Sequence, residues 1–292
     1  MERMSQNSIY LDLLQCDTFV QKGNIYSTRV ITAGEGPPLV LMHGGGGHAE
    51  AYSRNISRLA AKHRVIAMDF LWHGFSSKPK FRAGNWLEQF SEQVLDLLDS
   101  MGIEKASLEG ESLGGWVAID LALRFPKRVD KAILNTAWGC KFDPQHVREA
   151  AADLESLRKT SMDALDNPER EKIRKRMEWL MSAEKVTDEI VDVRHSIWSR
   201  PDTNAALKEY YERLFSPSTA DYLFDEAAIK RISVPTLILW TDKNPLHGID
   251  AAHRLEKLIM GSRCYIIKNA AHWPQWEHAE EHDRVVLEFL GG

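Results

Sequence analysis

Three short segments hold residue types that can do covalent chemistry together. Gly110-Glu111-Ser112-Leu113-Gly114-Gly115 has the form G-x-S-x-G and lies between a strand-like run and a helix-like one. In that context the serine occupies a tight, strained turn that exposes its hydroxyl at the C-terminal edge of a sheet, and small neighbours let strand and helix approach. The helix N-terminus behind Ser112 favours developing negative charge. A serine hydroxyl is a weak nucleophile unless a base within hydrogen-bond reach takes its proton. Of the eleven histidines, His272 in Asn269-Ala270-Ala271-His272-Trp273 stands just past the last strand-like run. That is where the chain order nucleophile, acid, histidine places the base. His43-Gly44-Gly45-Gly46-Gly47 follows another strand-like run, and its glycines can aim the amide of Gly45 or Gly46 at an oxyanion, with the amide of Leu113 as second donor.

Each segment has a plainer reading by itself: an incidental serine in a glycine-rich turn, a phosphate-cradling loop, a structural histidine. No Lys-Ser/Thr pair follows the glycines and the spacing fits no Walker or dinucleotide pattern, so phosphate is set aside. His278 and His282 stand four apart, but a zinc-protease helix needs Glu immediately after the first histidine. They read as a polar helix face, and no metal site is expected. Arg194 shares an apolar helical arc with Ile190, Val191, Ile197 and Trp198. A guanidinium on a buried face needs an anionic partner to offset desolvation, either an internal carboxylate or an anionic ligand.

The elements that must position these residues alternate. Residues 39–42, 64–68, 106–108 and 131–134 read as buried strands, and 49–61, 86–100 and 114–125 between them as helices. The pattern resumes with strands at 236–240 and 264–267 and helices at 249–260 and 276–290. This is the βαβ signature of a mostly parallel sheet flanked by helices. Residues 141–217 hold no strand-like run and break into short helices at Asp143-Pro144, Asn167-Pro168, Thr187-Asp188 and Asp202-Thr203. Each pair puts a capping side chain before a first turn, the first two with Pro at the first helical position. The expected architecture is a core of residues 1–140 and 218–292 with an inserted helical lid at 141–217.

Composition narrows the function. The 292 residues are 43% hydrophobic and 27% charged, with a formal net charge of −5. That charge, without a basic stripe, argues against a nucleic-acid partner. The run Lys172, Arg174, Lys175, Arg176 is broken by Glu169, Glu171 and Glu178 and reads as a solvated helix face. Cys16, Cys140 and Cys264 lie far apart without a C-x-x-C, so neither a disulfide framework nor a thiolate zinc site is indicated. Met1–Tyr10 lacks the apolar stretch of a signal peptide, and no membrane span is visible. A cytoplasmic protein is expected.

Together with Asp69-Phe70-Leu71-Trp72-His73-Gly74-Phe75-Ser76, these residues resemble the α/β-hydrolase fold over nearly the whole chain. Within it the sequence is most similar to the meta-cleavage-product hydrolases, which cut carbon–carbon bonds of ring-opened aromatic catabolites. The glycine run after His43, the segment from His272 through Trp273 to His278, and Thr187 to Arg194 carry that likeness. The resemblance implies a serine/histidine hydrolase of a 2-hydroxy-6-oxo-hexa-2,4-dienoate. Arg194 and Trp273 would bind a small-molecule carboxylate substrate. No metal or organic cofactor is implied, and a homodimer is suggested. A carboxylesterase or lactonase shares every core motif, and a non-catalytic small-molecule receptor on the same scaffold is the third reading.

One position departs from the family pattern. In Trp240-Thr241-Asp242-Lys243-Asn244-Pro245 the usual catalytic Asp falls on Asn244. Asn can fix the histidine tautomer through its carbonyl but has no charge to stabilise an imidazolium. Three alternatives stand: Asn244 serves as a weaker orienter, Asp242 reaches the histidine instead, or the chain has lost hydrolysis.

Overall fold

The computed structural model describes residues 8–141 and 144–291, with 144–153 described by backbone alone. The expected capping residue Asp143 and the N-terminal Met1–Asn7 lie outside the described residues. Eight strands form one sheet in the order β1-β2-β4-β3-β5-β6-β7-β8: β1 (Asp17–Lys22), β2 (Ser27–Ala33), β3 (Pro38–Met42), β4 (Arg64–Met68), β5 (Ala106–Glu111), β6 (Val129–Asn135), β7 (Thr236–Thr241) and β8 (Arg263–Ile267). β1 pairs antiparallel with β2 and β2 with β4, while every other pairing is parallel. β5 is buried along its whole length, because helices cover both faces of the parallel part and leave no solvated side. The sequence reading missed β1 and β2. β1 is an edge strand whose side chains are almost all exposed, so it needs no apolar run and shows none.

The helices are α1 (Ile9–Asp12), α2 (Ser53–Leu59), α3 (Glu88–Ser100), α4 (Leu113–Arg124), α5 (Pro144–Asp166), α6 (Arg170–Glu178), α7 (Asp188–Trp198), α8 (Pro201–Leu214), α9 (Glu226–Ile229), α10 (Ile249–Leu258), α11 (Pro274–Glu277) and α12 (Ala279–Gly291). α5 to α8 lie between β6 and β7, and the chain leaves and re-enters the core where Cys140 and Phe224 form a parallel bridge. Thr187 caps α7 as expected, its side chain accepting from Ile190 N–H. The other two described caps need correction. α6 starts two residues after Pro168 with Glu169 before it, and α8 starts at Pro201, so Asp202 lies within the first turn.

Two expected helices are also broken. Residues 49–61 divide into a 3-10 turn, Ala49–Tyr52, and α2. Residues 276–290 divide at His278, whose backbone (φ −134°, ψ 53°) leaves the helical region between α11 and α12. No helix of the described residues is long and apolar enough to cross a membrane.

Candidate active site

β5 ends at Glu111 and α4 begins at Leu113, so the turn between them is the single residue Ser112. Its backbone is strained, with φ 51° and ψ −108°, a conformation costing about 1–3 kcal/mol that persists only where its surroundings enforce it. The enforcement is steric: a Cβ at Gly110 would collide with the carbonyl of Gly114, and one at Gly114 with the carbonyl of Met42 on β3. Ser112 lines a cavity of about 450 Å³ between the sheet edge and the helical segment.

His272 lies on the loop after β8 and lines the same cavity. Its backbone is clamped on both sides, N–H to Leu180 O at 2.8 Å and C=O accepting from Thr136 Oγ1 at 3.0 Å. Glu277 braces the loop, its carboxylate accepting from the N–H groups of Ala271 and Trp273 and, across to the helical segment, Ser182. The ring's Nδ1 lies 2.9 Å from Asn244 Oδ1. Asp242 makes no such contact; its Oδ1 is buried without a hydrogen-bond partner among the described residues. Asn244 is therefore the residue that meets the histidine.

The sequence reading left Glu111 without a role. Its side chain is buried between the glycine loop and His272, one oxygen accepting from Gly44 N–H and the other 3.2 Å from His272 Nε2. A signal for it was present: a carboxylate at the end of a strand buried on both faces must have a partner.

The proposed oxyanion donors need one correction. Gly46 N–H donates to His73 Nε2 at 2.9 Å. Burial pushes His73 down to about 3, so the ring is neutral, its Nδ1–H donates to Leu71 O, and Nε2 is left as an acceptor. Gly46 is thereby committed to shaping the loop. Gly44 N–H is spent on Glu111 and Gly47 N–H on Gly44 O. Gly45 has no such commitment among the described residues and lines the cavity with Leu113, the first residue of α4. These two amides can receive an oxyanion. Beside Gly45 sits the hydroxyl of Tyr210, buried in the cavity wall with no hydrogen-bond partner among the described residues, a donor the sequence did not signal.

Arg194 is fully buried, and Nε, Nη1 and Nη2 all lack a hydrogen-bond partner among the described residues. The guanidinium packs 5.0 Å from the ring centre of Trp273 and 5.7 Å from that of Trp198. Burial and the nearby charge of Arg176 pull it down to about 10, so it remains a cation at neutral pH. The alternative of an internal Asp or Glu partner for Arg194 is not what the structure shows. Trp273 lines the cavity, and Arg194, which is not among the lining residues, packs against its ring.

Arg176, expected on a solvated face, is instead 1% exposed and lines the cavity directly. Its Nε donates to Ser161 Oγ at 2.7 Å and its Nη1 has no hydrogen-bond partner among the described residues. The physical reason is helical phase, since Ile173, Met177 and Leu180 bury the same side. His282, expected on a polar face, is likewise buried, between Glu109 and Asp283.

The family model for the alpha/beta hydrolase fold matches residues 37–279. The 2-hydroxymuconate semialdehyde hydrolase of Pseudomonas putida is 27% identical over 276 residues, 91% of each chain. The 2-hydroxy-6-oxononadienedioate/2-hydroxy-6-oxononatrienedioate hydrolase of Paraburkholderia xenovorans (strain LB400) is 31% identical over 273 residues, 88% of each chain. Among solved structures, a meta-cleavage product hydrolase from Pseudomonas fluorescens IP01 (CumD), complexed with acetates, is 25% identical. It superposes with a TM-score of 0.79 over 95% of this chain and 98% of its own.

Proposed function

The chain belongs to the alpha/beta hydrolase fold family, and we propose that it hydrolyses a carbon–carbon bond in a 2-hydroxy-6-oxo-hexa-2,4-dienoate, a ring-fission product of aromatic-compound degradation. The observation that carries this reading is the Arg194 guanidinium, buried with none of its three nitrogens hydrogen-bonded among the described residues. An unpaired buried charge costs several kcal/mol, which a carboxylate meeting it with two parallel hydrogen bonds offsets. An esterase of neutral substrates has no use for such a cation. The names of the curated relatives support the same substrate class.

In this reading the Trp273 side chain turns aside to admit the substrate carboxylate to Arg194, and the dienol ketonises while it is held there, which turns the departing carbon into a stabilised carbanion equivalent. Ser112 Oγ attacks the ketone carbonyl, His272 takes the hydroxyl proton, and the amides of Gly45 and Leu113 receive the oxyanion. The carbon–carbon bond then breaks and water releases the acyl group from Ser112 as a carboxylic acid. Arg176, with a free Nη1 in the cavity wall, fits a second carboxylate at the ketone end, such as a dienedioate carries. The helices α5 to α8 act as the lid, and the protein works in the cytoplasm as a homodimer.

The test follows the visible absorbance of a yellow dienoate. The wild type is expected to discharge it, and Arg194→Lys to lose far more on the dienoate than on a neutral p-nitrophenyl ester. Charge-assisted hydrogen bonds are worth about 1.5–3 kcal/mol, so the difference should be roughly ten- to hundredfold in kcat/KM. Equal losses on both substrates would move the esterase or lactonase reading ahead. Binding of the dienoate without any turnover would leave the receptor.

A further inference from the structure

Asn244 leaves Nδ1 of His272 without a charged partner, but it does fix the ring. Leu246 N–H donates to Asn244 Oδ1 at 3.2 Å, so the carboxamide oxygen is the atom facing the imidazole. Nδ1 therefore carries the ring proton and donates to that oxygen at 2.9 Å, which makes Nε2 the basic nitrogen. Nε2 faces Glu111 Oε1 at 3.2 Å, both side chains being almost wholly buried. Nε2 and Oε1 thus face each other as two acceptors in a dry site, a socket in which a proton placed on Nε2 meets a carboxylate.

We propose that Glu111 is a positioning residue that supplies, at Nε2 of His272, the negative charge that Asn244 cannot supply at Nδ1. The proposal rests on the Ser112–His272 reading above. When Ser112 Oγ bonds to the carbonyl carbon, the carbonyl π pair moves to the oxygen and the hydroxyl proton passes to Nε2. The N–H so formed meets the Glu111 carboxylate, which stabilises the imidazolium. When the scissile bond breaks, that proton goes to the departing fragment and the socket empties. Other charged residues on elements packed around the loop and cavity include Asp242, Lys243, Glu277, Glu155, Arg158, Arg176 and Arg194, and among the described residues none pairs with the ring.

On this account the Asn at position 244 is required by the Glu at 111. The molecule holds its own control. His282 has a carboxylate on each nitrogen, Glu109 at 2.7 Å on Nε2 and Asp283 at 3.0 Å on Nδ1. Those two carboxylates outweigh burial and raise it to about 10, so it is a standing cation and no base at neutral pH. A second carboxylate at 244 would make His272 the same.

The purified full chain is assayed on p-nitrophenyl acetate, whose turnover needs Ser112 and His272 but no carboxylate anchor. Glu111→Gln keeps an acceptor for Gly44 N–H and is expected to lower kcat by about a hundredfold, part of the ~10⁴ seen when an acid partner becomes an amide. Asn244→Asp alone is expected to lower kcat at least tenfold at pH 7, with recovery as the pH rises toward 10. Combined, Glu111→Gln/Asn244→Asp should exceed Glu111→Gln by at least tenfold, a rescue that a structural role for Glu111 does not predict. A Glu111→Gln enzyme within threefold of wild type, or a double variant no better than Glu111→Gln, overturns the proposal. Should no variant at 111 fold, Asn244→Asp still decides it, since a tenfold gain there at pH 7 would mean the charge had been missing. Failure to turn over dienoate would sink the substrate assignment and leave these ester measurements standing.

Discussion

β5 carries two carboxylates two residues apart, and each meets an imidazole from the C-terminal part of the chain. Glu109 faces His282 on α12, and Glu111 faces His272 on the loop after β8. Strand geometry puts both carboxylates on one side of the sheet, so the surroundings make the difference. The Glu109 pair is closed: Asp283 holds the ring's second nitrogen, and Asn135 donates to Glu109. It is a clamp between β5 and α12, with a permanent charge. The Glu111 pair is open: its ring has an uncharged amide on the second nitrogen and lines the cavity. Two carboxylates hold the His282 ring charged, whereas on the proposal above the His272 ring, with one carboxylate and an amide, serves as the base.

Removing each imidazole should break the comparison most sharply. Ser112→Ala and His272→Ala are expected to lower kcat by about 10⁴-fold or more, as loss of a nucleophile or its base does, with urea midpoints near that of the wild type. If either variant kept a tenth of wild-type kcat, the catalytic assignment of the open pair would fail. His282→Ala should do the reverse. It leaves the buried Glu109 without its cation, while Asp283 keeps Arg58 and Asn55. The change should cost about 3–5 kcal/mol of stability, while kcat per folded molecule stays within a few-fold. Equilibrium unfolding and active-site titration separate the two effects.

The two regions were unequally legible. β3, β4 and β7, buried nearly throughout, read as apolar runs and could be found, whereas exposed β1 could not. Ser112, Leu113, Gly45 and His272 are positions in short motifs whose chemistry is local, and Asn244 stood out as a departure from one. Choosing Asn244 over Asp242 needed the loop's path after β7. Glu111 was hidden because it fills a variable place in the elbow, and its partner lies 161 positions along the chain. Arg176 and His282 were misread for a common reason: charged neighbours suggested a polar face. Helical phase was the better guide, since Ile173, Met177 and Leu180 surround Arg176, and Val285, Val286 and Phe289 continue the buried side of His282. The same phase argument had placed Arg194 correctly among buried neighbours.

A milder probe is pH. His282 titrates near 10 in the folded protein, against a value near 6.5 for a free imidazole. A group whose folded value is raised contributes its full stabilisation below the unfolded value and loses it as pH rises through the folded one. The Glu109–His282–Asp283 clamp should therefore stabilise fully at pH 6, less at 8, and not at all above 10. Subtracting the urea stability of His282→Ala from that of the wild type at each pH isolates this slope from tyrosine and lysine titration. A difference that stays flat from pH 6 to 10 would mean that His282 is not the cation the geometry implies.

The smallest expected effect is also the most direct comparison, because Glu109→Gln gives His282 the surroundings of His272 with the acid and the amide exchanged between the nitrogens. The substitution is nearly isosteric. The new carbonyl oxygen can accept from His282 Nε2–H and Asn135 as Oε1 does now, and the new NH₂ takes the place of Oε2, which has no hydrogen-bond partner among the described residues. What is lost is one charge. Hydrogen bonds to charged groups are worth about 1.5–3 kcal/mol against roughly 1 for neutral ones, so stability at pH 7 should fall by about 1–2 kcal/mol. The ring now has one acid rather than two, so its stabilising contribution should begin to fade at a lower pH than in the wild type. If the alkaline slope does not move, the number of flanking carboxylates is not what holds an imidazole charged in this protein. The expectation that Asn244→Asp would turn His272 into a standing cation would then lose its basis.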